Sequence, residues 1–291
     1  MFSNILHLMR CLICCTDLRL VVAQEQSADG EIISGIVECQ QGHVWPVEEG
    51  VLVFSREDAL SDPWSKSYKT YDQYVRLNTM WIPAAAQEAA PILDSIPPSP
   101  SGPHLDACTG SGGLLFNLLK KRKPNTTIIS VDMSLHVQKF NRRYRMETFG
   151  DYPVSFVSCD AAVLPFKKSV FSCVTSWAMG NMLDRFPSGI KEAARVLDTN
   201  GVFIFSHLYV REDSEGWRTL GAGMAELGIA DYGFLGLEQD FVRLMERSGF
   251  RRYEIEVSRE VIGDPNRDTE SGPLFPYPNE PLRELLVKAW N

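Results

Sequence analysis

No stretch of this chain approaches the ~20 consecutive apolar side chains that a membrane helix needs. The apolar opening, Met1 to Cys15, is split by Arg10 and followed by no small-residue cleavage site. No small residue directly precedes Cys14 either, so neither a secretory leader nor a lipoprotein anchor is expected. Basic residues are outnumbered by acidic ones, 29 to 37, and a net charge of −8 does not favour a polyanionic partner. No catalytic triad and no internal repeat is found. The seven cysteines are an odd number. Cys108, Cys159 and Cys173 fall on strand or turn positions and read as small buried hydrophobes of a reducing compartment, so a cytoplasmic location is expected. The 291 residues, 44% hydrophobic, suit one large domain, alone or with a small appendage.

What is present is organised around His104-Leu105-Asp106-Ala107-Cys108-Thr109-Gly110-Ser111-Gly112-Gly113-Leu114. It reads as a buried strand entering a glycine turn that opens a helix, Leu114 to Lys121. Such turns hold nucleotide-like ligands in parallel α/β sheets, and Gly110 and Gly112 let a ligand approach the backbone. A second strand, Thr126 to Val131, ends in Asp132, 20 residues past Gly112, where a carboxylate accepts from two ribose hydroxyls. A third, Val154 to Cys159, ends in Asp160-Ala161, followed by Leu164-Pro165-Phe166 and a fourth strand, Phe171 to Trp177. One such acid could be a helix cap. Two at successive strand ends, both downstream of a glycine turn, point to a ligand.

These residues resemble the class I S-adenosylmethionine (SAM)-dependent methyltransferases. Glu192-Ala193-Ala194-Arg195-Val196-Leu197-Asp198-Thr199-Asn200-Gly201 is similar to the family's helix and turn before strand five, usually E-x-x-R-V-L-K-P-G-G. Leu237 to Phe250 resembles its late helix ending in Gly-Phe. The resemblance implies an α/β, Rossmann-like sheet with helices on both faces and a last strand, Leu286 to Trp290, antiparallel to its neighbours. It implies a SAM site built from Asp106, Ala107, Gly110, Gly112, Asp132, Met133, Asp160, Ala161 and Trp177. Two positions depart: Cys108 replaces the first glycine, which would narrow the methionine pocket, and Thr199-Asn200 replaces Pro-Gly, in a turn that Asn tolerates.

Residues 1–55 read as a separate small β unit with strands at Leu18 to Ala23, Ile32 to Cys39 and Val44 to Phe54. So short a region with few aliphatics needs a staple. Cys11-x2-Cys14 and Cys39-x3-His43 supply four ligands with the spacing of tetrahedral zinc, which would be structural because no open position remains. Cys15 is the alternative to Cys14, and unligated thiols are the plainer reading. The segment resembles the zinc ribbon of bacterial ribosomal RNA guanine-N1 methyltransferases, whose ribbon helps hold RNA, and small zinc-ribbon activators of other methyltransferases. It carries only two basic residues, Arg10 and Arg19, against seven acidic ones, a poor composition for gripping phosphates.

Residues 56–103 are expected to form a helical linker and cofactor lid, with a helix from Ser61 to Ile96 and chain breaks at Pro91 and Pro97 to Pro103; residues 104–291 form the SAM-binding domain. Lys139, Arg142, Arg143 and Arg145 are expected on a solvated helix face, or else in a nucleic-acid patch. A substrate pocket is expected from Trp177, Asn181, His207, Tyr209 and the Trp217–Phe234 segment. His207, at the tip of strand five (Gly201 to Ser206), is the best-placed base, against the plainer reading of a packed or solvent-facing histidine. Three functions are compatible with these residues. They are methylation of a small molecule, methylation of an RNA base with RNA as partner, and a non-catalytic SAM-fold scaffold.

Overall fold

The computed structural model describes residues 1–55, 65, 68–98, 101–121, 126–150, 152–177, 186–210, 238–262 and 281–291. The strands are β1 (Leu18–Gln26), β2 (Ile32–Cys39), β3 (Val44–Glu48), β4 (Val51–Val53), β5 (His104–Ala107), β6 (Ile128–Asp132), β7 (Val154–Ser158), β8 (Phe171–Ser176), β9 (Leu197–Val210), β10 (Arg252–Ile262) and β11 (Pro281–Trp290). The helices are α1 (Tyr71–Ser95), α2 (Gly113–Lys121), α3 (Leu135–Phe149), α4 (Phe186–Val196) and α5 (Glu238–Arg247), after a short 3-10 helix, Ser3–Leu8.

Every residue of β5, β6, β7 and β8 is buried, as expected of parallel strands covered on both faces. They form the middle of one sheet ordered β1-β2-β3-β4-β7-β6-β5-β8-β9-β11-β10. β4 to β9 run parallel in that order, and β11 is antiparallel to both β9 and β10. The antiparallel last strand is thus present, and it begins earlier than expected, at Pro281.

The N-terminal β unit, expected to end at residue 55, shares one sheet with the strands that follow. β4 lies in register along β7, with Val51, Leu52 and Val53 opposite Phe156, Val157 and Ser158. Cys11, Val37 and Leu52 share one core with Phe166, Phe171, Phe203 and Phe205 on one face of the sheet. The intervening β9 residues, Val202 and Ile204, point to the other face, where Tyr74, Ile82, Leu115 and Phe116 pack.

Three expectations change. Pro91 does not break the chain: α1 runs through Pro83 and Pro91 because Tyr74, Asn78, Ile82, Ala85, Ala89, Ile92 and Leu93 bury one stripe. A proline costs one ladder bond and strains the turn before it. That burial outweighs the cost. The Thr199-Asn200 turn lies within β9 as a bulge, between the Phe171–Leu197 and Cys173–Val202 pairs. The basic residues of α3 do not share one solvated face: Arg143 is exposed, whereas Arg142 and Arg145 are buried. Arg142 donates from Nε and Nη2 to the Glu31 carboxylate (2.9 and 3.0 Å), and Arg145 Nη2 does so at 3.1 Å. All three side chains are buried. Gly50 makes room: a Cβ there would lie 2.0 Å from Arg142 Nε. Lys139 pairs with Glu49 at 2.8 Å, and Arg143 covers the Tyr71 ring.

Candidate functional site

The glycine turn leaves β5 at Ala107 and enters α2 at Gly113. Cys108 takes φ 57, Gly110 φ 54 and Gly112 φ 88. Cys108 therefore keeps the left-handed backbone natural to glycine, at a cost of roughly 1–2 kcal/mol. Gly112 cannot be replaced without a clash, since a Cβ would meet the Phe116 ring at 2.1 Å. One added at Gly113 would meet Trp177 at 2.7 Å. Trp177 stacks on Trp81 of α1, with ring centroids 5.8 Å apart and planes 6° off parallel.

Side chains from two helices pin the turn. Asn141 of α3 donates from Nδ2 to Gly110 O (2.7 Å). Asn78 of α1 donates to Ser111 O (3.2 Å), and Tyr74 Oη donates to Asn141 Oδ1 (2.6 Å). These carbonyls are held in place from α1 and α3, while the turn's own amides are anchored within the sheet and the turn: Thr109 N–H donates to Val131 O and Gly112 N–H to Thr109 O, each at 3.0 Å. Tyr68, Tyr71 and Tyr74 are buried, and Tyr74 acts on the loop from within this aromatic core. Asn78 and Asn141 were missed by sequence reasoning. Asn78 carried a readable signal, because it is a polar residue in the middle of the α1 apolar stripe.

The three acids stand at neighbouring strand ends. Asp132 accepts from Gly110 N–H on Oδ2 (2.8 Å) and from Ser134 N–H on Oδ1 (3.0 Å). Asp160 Oδ1 accepts from Ala162 N–H at 2.9 Å. Asp106 is buried; its Oδ1 accepts from Thr175 Oγ1 (3.1 Å), and Thr175 in turn meets His104 Nε2 at 2.9 Å. Asp106 Oδ2 has no partner. Burial pushes the Asp106 carboxyl up to about 7; the Thr109 and Thr175 hydroxyls oppose the shift, and the charge of Asp132 adds to it.

Beyond Asp160, the E-x-x-R sequence of α4 has a visible task. Arg195 pairs with Glu192 (2.6 Å) and donates to Phe166 O (2.8 Å) and Leu164 O (3.0 Å). Glu192 accepts from Leu164 N–H (2.8 Å). The Asp160–Phe166 loop is gripped on its other side by the N-terminal segment. There Arg10 N–H donates to Pro165 O (2.9 Å), and Lys167 N–H to Leu8 O (2.8 Å).

Residues 56–215, more than half of the chain, match the ubiE/COQ5 methyltransferase family. The chain belongs to that family. It is thereby a SAM-dependent methyltransferase. No curated protein matches its sequence. Among solved structures it resembles the YcgJ protein of Bacillus subtilis, at 14% identity and a TM-score of 0.55, covering 70% of this chain and 97% of that one. It resembles Haemonchus contortus phosphoethanolamine N-methyltransferase 2 in complex with SAM at 15% identity and a TM-score of 0.57, over 84% of this chain and 61% of that one. A geranyl diphosphate C-methyltransferase from Streptomyces coelicolor is similar at 16% identity and a TM-score of 0.53, over 81% and 88% of the two chains. At these identities the likeness is one of fold.

The residues of this methyltransferase fit SAM on three counts. The turn is a cradle closed to any Cβ at Gly112, the Asp132 carboxylate stands beside it at the end of β6, and Asp106 Oδ2 is a buried acceptor without a donor. Met133 and Ala161 lie directly beyond Asp132 and Asp160, at the same strand ends.

The expected metal ligands also converge. The ligand atoms of Cys11, Cys14, Cys39 and His43 all lie within 4.8 Å of one another. Cys14 Sγ is 3.5 Å from Cys39 Sγ, and His43 Nδ1 is 3.6 Å from Cys11 Sγ and 3.3 Å from Cys39 Sγ. Ligands on a zinc tetrahedron stand about 3.6–3.8 Å apart. Backbone N–H groups of Ile13 and His43 point at the Cys11 and Cys39 sulfurs. Burial pushes the Cys39 thiol up, but hydrogen bonds led by those of the Gln41 and His43 backbone outweigh it and bring the thiol down to about 6. Cys15 stays exposed outside the cluster.

The expected substrate pocket is only partly visible. Asn181, the Trp217–Phe234 segment and the Tyr209 side chain lie outside the described residues. His207 is 1% exposed, its ring stacked on Phe186 at 4.9 Å and near Phe241 at 5.7 Å. That is an aromatic core position, as the plainer reading had it. Among the described residues, no helix is long and apolar enough to cross a membrane.

Proposed function

We propose that this methyltransferase acts on a small-molecule acceptor and that Cys11, Cys14, Cys39 and His43 hold a structural zinc ion. SAM, when bound, supplies a methyl group already activated on a sulfonium, so the chain's task is mainly alignment. Asp132 receives the ribose hydroxyls, Asp160 and Ala161 lie to the adenine side, and Asp106 faces the amino-acid side. Trp177 and Trp81 wall the end of the glycine turn. We give His207 no proton-transfer role, since its ring is held in the aromatic stack. A base is needed only for an acceptor atom of high pKa.

The observation that carries the small-molecule reading is the locking of Arg142 and Arg145 onto Glu31. An RNA substrate demands cations free to meet phosphates. These two are buried, and the N-terminal unit that would lie alongside RNA is acidic. The stacked pair Trp81–Trp177, with Trp81 40% exposed, offers flat apolar surface beside the turn, which suits a compact organic acceptor. Two of the similar structures are named for small acceptors, phosphoethanolamine and geranyl diphosphate. The test is incubation with a metabolite extract and methyl-labelled SAM, followed by mass spectrometry. Label in a low-molecular-mass product is the expected result. Label in ribosomal or transfer RNA, with saturable RNA binding at physiological salt, would restore the RNA reading.

A further inference from the structure

Asn78 is buried at 0% exposure, yet only half of its amide is used. Nδ2 donates to Ser111 O at 3.2 Å, while Oδ1 has no partner. The Ser111 carbonyl sets this orientation, because the flipped amide would place two acceptors against each other. A buried acceptor without a donor is costly and calls for an explanation. Asp106 Oδ2 is a second unpartnered acceptor at the same turn. The glycine turn thus has spare acceptors on side chains from β5 and α1, whereas its own amides only donate.

The strand order tells which part of SAM meets them. β7, β6, β5 and β8 are neighbours in that order, so Asp160, Asp132, Asp106 and Trp177 stand in a row. With Asp160 on the adenine side and Asp132 on the ribose, the amino-acid end lies toward β5 and β8. That is where α1 covers Ser111 and Gly113. The amino-acid end carries an α-ammonium, a cation with three donors, for which amides offer nothing.

We propose that Asn78 is a cofactor-binding residue whose Oδ1 accepts a hydrogen bond from the α-ammonium of SAM, with Asp106 Oδ2 as the second acceptor. A neutral amide provides an acceptor without adding a second negative charge to that of the buried Asp106 carboxylate. This rests on the SAM site described above.

Calorimetry with S-adenosylhomocysteine and its deaminated analogue, which bears hydrogen in place of the α-amine, tests it. In Asn78→Leu, affinity for S-adenosylhomocysteine should fall about tenfold or more, the range for a hydrogen bond to a charged group. Affinity for the deaminated analogue should change less than about threefold, since that contact is already missing. Equal losses for the two ligands would mean that Asn78 only holds Ser111, and would overturn the proposal. Asn78→Asp keeps an acceptor and is the arm to read if the leucine variant does not fold. It should retain the preference for the amine-bearing ligand, and loss of that preference there refutes the assignment. Failure of the unaltered protein to bind S-adenosylhomocysteine at all would remove the cofactor reading, and this inference with it.

Discussion

Glu31→Gln should destabilise the protein more than any single change on its surface. The Glu31 carboxylate receives two bonds from Arg142 and one from Arg145, and its Oε1 also lies 3.1 Å from the Met1 nitrogen. Glu31 and Arg145 are each 1% exposed. Removing the anion leaves two guanidiniums buried without a counter-charge, which costs about 3–5 kcal/mol. For a chain of this size that corresponds to a melting temperature lower by on the order of 10 °C. The pH dependence gives a sharper check. Burial alone raises the Glu31 carboxyl pKa, but the Arg142 bonds and the charges around it outweigh burial and leave it below the ordinary range. A depressed folded-state pKa contributes stability that is present above the unfolded value, ~4.3, and is lost as pH falls through the folded one. The gap between the two melting curves should therefore be constant from pH 6 to 8 and close below about pH 4. Arg143→Ala, on the exposed side of the same helix, should barely move the melting temperature. Scanning calorimetry across that pH range decides it: a gap of only a degree or two, or one that persists unchanged at acid pH, refutes a buried ionic lock.

Asp132→Ala should weaken S-adenosylhomocysteine binding by about 1.5–3 kcal/mol, the worth of hydrogen bonds to a charged acceptor, and unchanged calorimetric affinity would remove Asp132 from the site. Purified protein should carry about one equivalent of zinc by elemental analysis, lost in Cys39→Ser. Because residues 8–10 clip the Asp160–Phe166 loop, metal removal should also speed hydrogen exchange in that loop, whereas metal-free protein with an unaltered exchange pattern would contradict the zinc site. Asp106, with its carboxyl raised to about 7, is half protonated near neutrality, and an ammonium ligand selects the charged form. Binding should weaken as pH falls below 7, by up to about tenfold per unit, with proton release seen in buffers of different ionisation heat. Affinity that is flat from pH 5.5 to 8 counts against Asp106 as the partner of the ammonium.

Much of the fold was legible because it depends on local chemistry. A continuous apolar run ending in an acid, then glycines, then a helix stripe can form only a few structures, and Asp106, Gly110, Gly112, Asp132 and Asp160 came out at adjacent strand ends. The Cys11-x2-Cys14 and Cys39-x3-His43 spacings likewise encode two tight turns, each of which needs no information beyond a few residues.

What the sequence left undetermined depends on partners far away along the chain. Arg142 and Arg145 follow the same helical spacing whether they meet water or Glu31, which lies 111 and 114 residues away. Only the packing of α3 against the N-terminal unit turned a basic patch into a buried lock. The joining of the N-terminal unit to the main sheet was hidden for the same reason, since the parallel pairing of β4 with β7 links residues about a hundred positions apart and leaves no mark in either strand. His207 is a strand-tip histidine in sequence; its place among Phe186 and Phe241 was settled by α4 and α5 folding over it. Asn78 shows the limit most clearly. Its position in an apolar stripe told that it would be buried, but which half of its amide is satisfied, and which half is left over for a ligand, was decided only when the Ser111 carbonyl came to rest against it.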